Sequence, residues 1–176
     1  MSWVIALTLA YEIVCVYGQA GRGVRSHFNI GTSFDALVFS SMGVMIVVNM
    51  LAALVGAWDL WWTAPTAGLP AAYLWGMRLG VLIFVLAGFE GGVMGSRLQH
   101  AVGVKDGGAG LPFLNWSTEG GDLRAAHFVG MHALQALPLL GYWVGSVGAV
   151  WAAAAGWVVV TAWLVVRALG GRPLGW

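Results

Sequence analysis

Charge is what this sequence has least of. Lys, Arg, Asp and Glu make up 9% of its residues and hydrophobic types 60%, against roughly 25% and 45–50% in soluble domains. A soluble surface cannot be built on that ratio, so the chain reads as an integral membrane protein, and its mean hydropathy of +0.82 agrees. The basic residues are too few, and too interleaved with acids, to mark a nucleic-acid surface; the net charge is only +1. Cys15 is the single cysteine, which excludes an intrachain disulfide and a cysteine-based metal cage and leaves it as a small apolar residue. Common enzyme signatures are missing too: there is no HExxH, no GxSxG, no buried aspartate pair and no Glu-x-x-His repeat of a di-iron bundle. The sequence names no cofactor and no metal site. The stretch MSWVIALTLAYEIVCVYG lacks a basic leader and a small-residue cleavage site and carries Glu12 inside its apolar run. It is expected to be a retained helix rather than a signal peptide.

What the chain does have is apolar helix. A hydrocarbon core of about 30 Å needs about 20 largely apolar residues to cross it. Five segments meet that requirement, at roughly 3–19, 34–58, 71–95, 124–143 and 147–169. The expectation is an all-α transmembrane helical bundle of about five helices, one integral membrane domain over residues 1–176, with the lipid bilayer as its first partner. DLWWTAPTAGLP, residues 59–70, holds two prolines and reads as a turn-rich connector. Gly145 and Ser146 join the last two helices tightly.

The few charges are sorted. Arg22, Arg25, Arg97, Lys105, Arg124, Arg167 and Arg172 fall in the first loop, the third loop and the C-terminal segment, and only Arg78 lies elsewhere. Glu12, Asp35, Glu90, Asp106, Glu119, Asp122 and the histidines at 27, 100, 127 and 132 lie in those segments or lead into them. Five crossings put all three segments on one side, whereas four or six would split them. The positive-inside rule makes that side cytoplasmic, hence N-outside and C-inside. Trp3, Trp58, Trp61, Trp62, Trp75, Trp143 and Trp151 fall at the opposite helix ends, where an indole can keep its N–H wet and its ring apolar. Arg78 is expected to snorkel toward that rim or to meet Asp59.

Glycine marks where helices approach. Gly76-xxx-Gly80, Gly88-xxx-Gly92 and Gly91-xxx-Gly95 give the third helix small-residue faces, and Gly141-xxx-Gly145 repeats the pattern. The third helix is expected at the centre. Its glycines could serve packing within the chain or contact with other membrane subunits.

Two strings concentrate polar groups: QAGRGVRSHFNIGTSFD, residues 19–35, and LNWSTEGGDLRAAHFVGMHALQ, residues 114–135. Asp122 suits the N-cap of the fourth helix, where its carboxylate would accept free amides of the first turn. Arg124, His127, Met131 and Gln135 then recur at three- and four-residue steps and would form one stripe. His132 points elsewhere, so it cannot join His127 around one metal. Pro138 removes the amide facing the Leu134 carbonyl, predicting a kink one turn beyond Gln135. Glu12 and Glu90 lie inside apolar runs and must be paired, protonated or open to water. Arg25, Arg97, Arg124 and His127 are the partners at their depth. For each of these residues a structural role stands beside the functional one: ion pairing for the acids, a bonded core position for the histidines, helix capping for Arg22, Arg25, His27 and Asn29. The run KDGGAGLP lacks a strand–loop–helix setting and is expected to be a flexible connector rather than a phosphate loop.

RGVRSHFN and WSTEGGDLRAAHFVGMHALQ resemble paired signatures, RGxxSHFN and WSTxxGDLRxAHFxGxHALQ, of an uncharacterised family of small bacterial polytopic membrane proteins. The resemblance covers roughly residues 11–142. It implies a bacterial inner-membrane setting and singles out Arg22, Ser26, His27, Asn29, Asp122, Arg124, His127, His132 and Gln135, but it carries no reaction.

Three functions fit. In the first, Glu12, Glu90, Arg124 and His127 line a cavity on the cytoplasmic side, with Arg22, Arg25 and His27 as a lid; it binds a quinone, a lipid head group or a small anion, or couples protons. In the second, the chain is an accessory subunit of a larger respiratory or photosynthetic complex, and its charges only set helix register. In the third, it is an intramembrane enzyme using His127 with Glu90 or Glu12 as acid and base.

Overall fold

The computed structural model describes residues 2–62 and 68–174. Its helices are α1 (Ser2–Gly21), α2 (Ser33–Trp62), α3 (Ala71–Arg97), α4 (Leu123–Met131), α5 (Ala133–Val144) and α6 (Val147–Leu169). A short ribbon of β1 (Ala101–Val102) and β2 (Gly121–Asp122) lies between α3 and α4. With 20, 30, 27 and 23 residues, α1, α2, α3 and α6 are long and apolar enough to cross a bilayer. The chain is an all-α bundle and a multi-pass membrane protein. α4 and α5, of 9 and 12 residues, are each too short to cross alone.

Side-chain pairs show how the helices run. Thr8 meets Asn49 and Gln19 meets Asp35, so α1 and α2 are antiparallel. Gly88 abuts Met50 while Arg78 reaches the Leu60 carbonyl, so α2 and α3 are antiparallel as well. Along α3, Gly91 faces His127, Gly80 faces Ala133, Gly76 faces Leu137 and Ala72 faces Gly141. α4 and α5 together therefore pass antiparallel along nearly the whole of α3. α3 is central, touching α2, α4, α5 and α6. The core of Ala72, Leu79, Ile83, Ala133, Leu137, Val150 and Ala154 lies where α3, α5 and α6 meet.

Gly76, Gly80 and Gly141 are spent inside the chain. A Cβ on Gly80 would stand 2.7 Å from the Ala133 carbonyl oxygen, and Cβ atoms on Gly76 and Gly141 would collide with the Leu137 and Ala72 backbones. Gly92 and Gly95 have nothing within 4 Å.

Three local expectations are corrected. α2 runs through Trp62 into the expected connector, because its last turn is held from α3: Arg78 donates to the Leu60 and Trp61 carbonyls at 3.1 and 3.2 Å. Its guanidinium also stands 5.2 Å from the Trp75 ring centroid. The remainder of that connector, at 63–67, lies outside the described residues. The fourth helix breaks at His132 into α4 and α5, and Pro138 lies inside α5. At the break, side chains take backbone carbonyls: the Phe128 carbonyl accepts the His132 amide at 3.1 Å and its Nδ1 at 2.7 Å. The Val129 carbonyl accepts Trp157 Nε1 at 2.7 Å. KDGGAGLP, finally, belongs to an ordered hairpin. Asp106 accepts the His100 and Ala101 amides, Thr118 N–H bonds the Ala109 carbonyl at 3.0 Å, and Gly110 bridges Ser117.

Tryptophans gather at the opposite end. Trp61 and Trp75 lie 5.8 Å apart edge to face, and Trp75 and Trp151 lie 5.1 Å apart.

Candidate functional site

The charged segments meet physically. Phe28 of the first loop packs against Met94, Val102, Leu123 and Ala168, joining the ends of α3 and α6 to the ribbon. Around that apolar knot the polar groups divide into separate networks rather than one cluster.

The first network ties α1 to α2. Arg22 bonds Asp35 at 2.6 Å and also the Gln19 side-chain oxygen. Gln19 Nε2 donates to Asp35 at 2.9 Å, and Thr32 Oγ1 donates to it at 2.7 Å. Both Asp35 oxygens are thus engaged.

The second network caps α4. Asp122 is the expected N-cap: its Oδ1 accepts the Arg124 amide and Nε, each at 3.0 Å. Its Oδ2 accepts the Ser117 amide at 2.8 Å and Arg124 Nη2 at 2.7 Å. Burial raises the pKa of this carboxyl, but the Arg124 guanidinium and the two amides outweigh it and hold the group below the usual carboxylate range. His100 Nδ1 lies 3.3 Å from Asp106 and 3.7 Å from Asp122, yet it makes no hydrogen bond. Those oxygens are aimed at backbone amides and Arg124. Burial, then the charges of Arg124 and Arg25, push His100 below its ordinary value against the pull of the two carboxylates.

The third is a surface chain. Glu12 meets His27 Nε2 at 3.4 Å, and Ser26 Oγ meets His27 Nδ1 at 3.0 Å. Asn29 accepts the Gly31 amide and donates to the Arg25 carbonyl, fixing the loop. Arg25 itself is exposed.

Between α3 and α6 lies a groove that Leu123, at the start of α4, also lines. Its volume is about 340 Å³. Ile83, Leu86, Ala87, Phe89, Val158 and Val165 supply much of its apolar lining, and two polar side chains, Glu90 and Thr161, interrupt it. Glu90 is 8% exposed, and neither of its carboxylate oxygens has a hydrogen-bond partner. Thr161 Oγ1 is buried and unpartnered as well. A buried polar group left unsatisfied costs about 1–3 kcal/mol, and an ionised one more. Glu90 therefore needs what the groove does not supply: a proton, a donor or a cation. Compared with protein-family models, curated proteins and solved structures, the chain matches none.

Several expected partnerships are thus redrawn. His127 turns to α3, where Nδ1 donates to the Ala87 carbonyl at 3.0 Å; it does not line the groove. Arg124 is committed to Asp122 and donates also to the Asn115 carbonyl at 2.5 Å. Glu12 meets His27, which was not among its expected partners. Arg22, Arg25 and His27 form no lid, since none of them lines the groove. The stripe through Gln135 is interrupted at His132, and Gln135 and His132 are both exposed. Of the expected cavity residues only Glu90 lines the void.

Thr161 is the site residue that sequence reasoning missed; its one signal is being the only hydroxyl within the α6 span. The α1–α2 contact made by Asn49, whose Nδ2 donates to Thr8 Oγ1 at 2.8 Å, was missed likewise.

Proposed function

We propose that the chain is a multi-pass protein of a bacterial inner membrane that binds a small, largely apolar molecule with a hydrogen-bonding head in the α3–α6 groove. A quinone is the class that suits the site best. The observation that carries this reading is the pairing of two unpartnered polar side chains, Glu90 and Thr161, in an otherwise apolar void of about 340 Å³. Ligand sites are typically apolar with a few convergent polar groups. A ring carbonyl or hydroxyl would satisfy both side chains, and its apolar body would lie along Leu86, Phe89 and Val158. An anion suits the site poorly, because Glu90 would oppose it. Proton coupling follows naturally from the same residue: a carboxyl beside a quinol hydroxyl is placed to exchange its proton.

The acid–base reading lacks its pairings: His127 bonds the Ala87 carbonyl, Glu12 meets His27, and neither bonds Glu90. The subunit reading loses Gly76, Gly80 and Gly141, which are used within the chain.

The test is organic extraction and mass spectrometry of protein purified in mild detergent, with a visible spectrum. The wild type is expected to carry an extractable quinone-class molecule. Glu90→Gln and Thr161→Val should each lower its content about tenfold, the worth of one buried hydrogen bond with its desolvation, while leaving the protein monodisperse. Retention at wild-type level in both variants would sink the proposal, as would a wild type that carries no small molecule. Purification only as part of a larger assembly would favour the accessory-subunit alternative.

A further inference from the structure

The end of α6 carries a second void, built from different chemistry. It measures about 370 Å³ and is lined by Trp163, Val166, Arg167, Gly170 and Arg172. Two of the five are guanidinium groups, and no acid is among them.

The local fold puts both arginines there. After Leu169 the chain turns back: Gly170, Gly171 and Arg172 donate their amides to the Val166, Ala168 and Arg167 carbonyls at 3.0, 2.9 and 3.0 Å. Gly171 makes the reversal with φ +68°, a conformation glycine adopts without steric cost. The turn brings Arg172 Cγ to 4.0 Å from a Cβ placed on Gly170, and Arg172 and Arg167 line the same void. Because backbone amides already satisfy those helix-end carbonyls, the guanidinium groups are not needed as caps. Arg167 is oriented by a 2.6 Å bond from Nη2 to the Pro173 carbonyl and by Trp163, whose ring centroid is 5.1 Å from Cζ. Its Nε is buried and has no acceptor. Three acids of the charged segments are engaged elsewhere: Asp35 with Arg22, Asp122 with Arg124, and Asp106 with backbone amides.

Position decides what such a pair would hold. The void sits at the charged end of a helix long and apolar enough to cross a bilayer, the end at which lipid head groups are expected. Its other wall, Val166 and Trp163, faces outward and is apolar, at 71% and 52% exposed. A free anion would use the arginines and leave that wall idle. A lipid would use both, with its phosphate on the guanidinium fork and its glycerol and upper chain against Trp163 and Val166. We infer that Arg167 and Arg172 form a binding site for the phosphate head of an anionic membrane lipid.

Native mass spectrometry of the detergent-purified protein, titrated with phosphatidylglycerol or phosphatidylcholine, tests this. The wild type is expected to bind phosphatidylglycerol more tightly than phosphatidylcholine. Arg172→Gln should weaken the phosphatidylglycerol adduct about tenfold, as loss of a charge-assisted hydrogen bond does. The double variant with Arg167→Gln should lose the preference altogether. Arg172 is exposed, so its substitution spares the fold even if that of Arg167 does not. Equal binding of the two lipids would overturn the inference, as would a phosphatidylglycerol affinity unchanged in Arg172→Gln. So would displacement of the lipid by millimolar inorganic phosphate, which would mark a free-anion site.

Discussion

His100 stands between two carboxylates and two arginines, and geometry settles which pair prevails. Asp106 and Asp122 are nearer, but their lone pairs are taken by amides and by Arg124, so burial and the positive field keep the ring below its ordinary pKa of 6.5. The linkage sign follows. A group whose folded pKa is depressed contributes stability that is present above its unfolded value and is lost as pH falls. Acidification below 6.5 should therefore loosen the hairpin between α3 and α4, because the unfolded chain takes up the His100 proton first. Asp122, also depressed, adds a second loss only below its ordinary value of 3.8. Hydrogen exchange of 101–122 from pH 7.5 to 5 checks this, with His100→Gln expected to flatten the slope. A slope of the opposite sign would mean that the carboxylates hold the ring charged. At this scale the sequence was partly legible. Glu90 stood out because a carboxyl in an apolar run is rare and costly. Thr161 did not, because a lone membrane threonine usually bonds its own helix, as Thr8 does to the Val4 carbonyl at 2.9 Å.

Between elements, the governing contact is backbone on backbone. Gly76, Gly80 and Gly141 let α3 and α5 approach until a Cβ would strike main-chain atoms, and main chain cannot move aside as a side-chain tip can. Gly141→Leu should cost about 3 kcal/mol, the upper end of overpacking, read as a lower thermal midpoint in detergent. Gly92→Ala, on the same central helix but in open space, should be neutral or stabilising by up to about 1 kcal/mol through helix propensity. Equal effects would show that the α3–α5 contact does not govern stability. The four long helices and their order were legible because a 20-residue apolar run has few alternatives in lipid. The break at His132 was not, since it depends on Trp157 of α6 reaching the Val129 carbonyl. A partner that supplies a hydrogen bond from another helix leaves no mark in the local sequence. The hairpin escaped for a similar reason: its glycines suggest freedom, while Asp106 and Asp122 remove it through bonds to the backbone.

At the scale of the molecule, charge and indole are separated along the helix axes. Seven of the eight Lys and Arg residues occupy the first loop, the third loop and the C-terminal segment, which meet around Phe28. The tryptophan cluster of Trp61, Trp75 and Trp151 closes the far end. Because short-loop Lys and Arg set orientation, the third loop is expected in the cytoplasm and the α2–α3 connector outside. Single cysteines at two exposed positions, Leu69 and Lys105, placed in a Cys15→Ser background, read this directly with an impermeant maleimide on intact spheroplasts. Leu69→Cys should label at once, and Lys105→Cys only after permeabilisation. The reverse pattern would invert the protein, and would move the Arg167–Arg172 void from the anionic leaflet to the outer one. Labelling of both from the same side would mean that α3 does not cross, and the antiparallel passage of α4 and α5 along it would have to lie outside the bilayer core. The Glu90 groove depends on the same outcome, since it lies about two turns from the charged end of α3. In the expected orientation Glu90 lies nearer the cytoplasmic end of α3 than the tryptophan end, so that is the side with which it would exchange a proton.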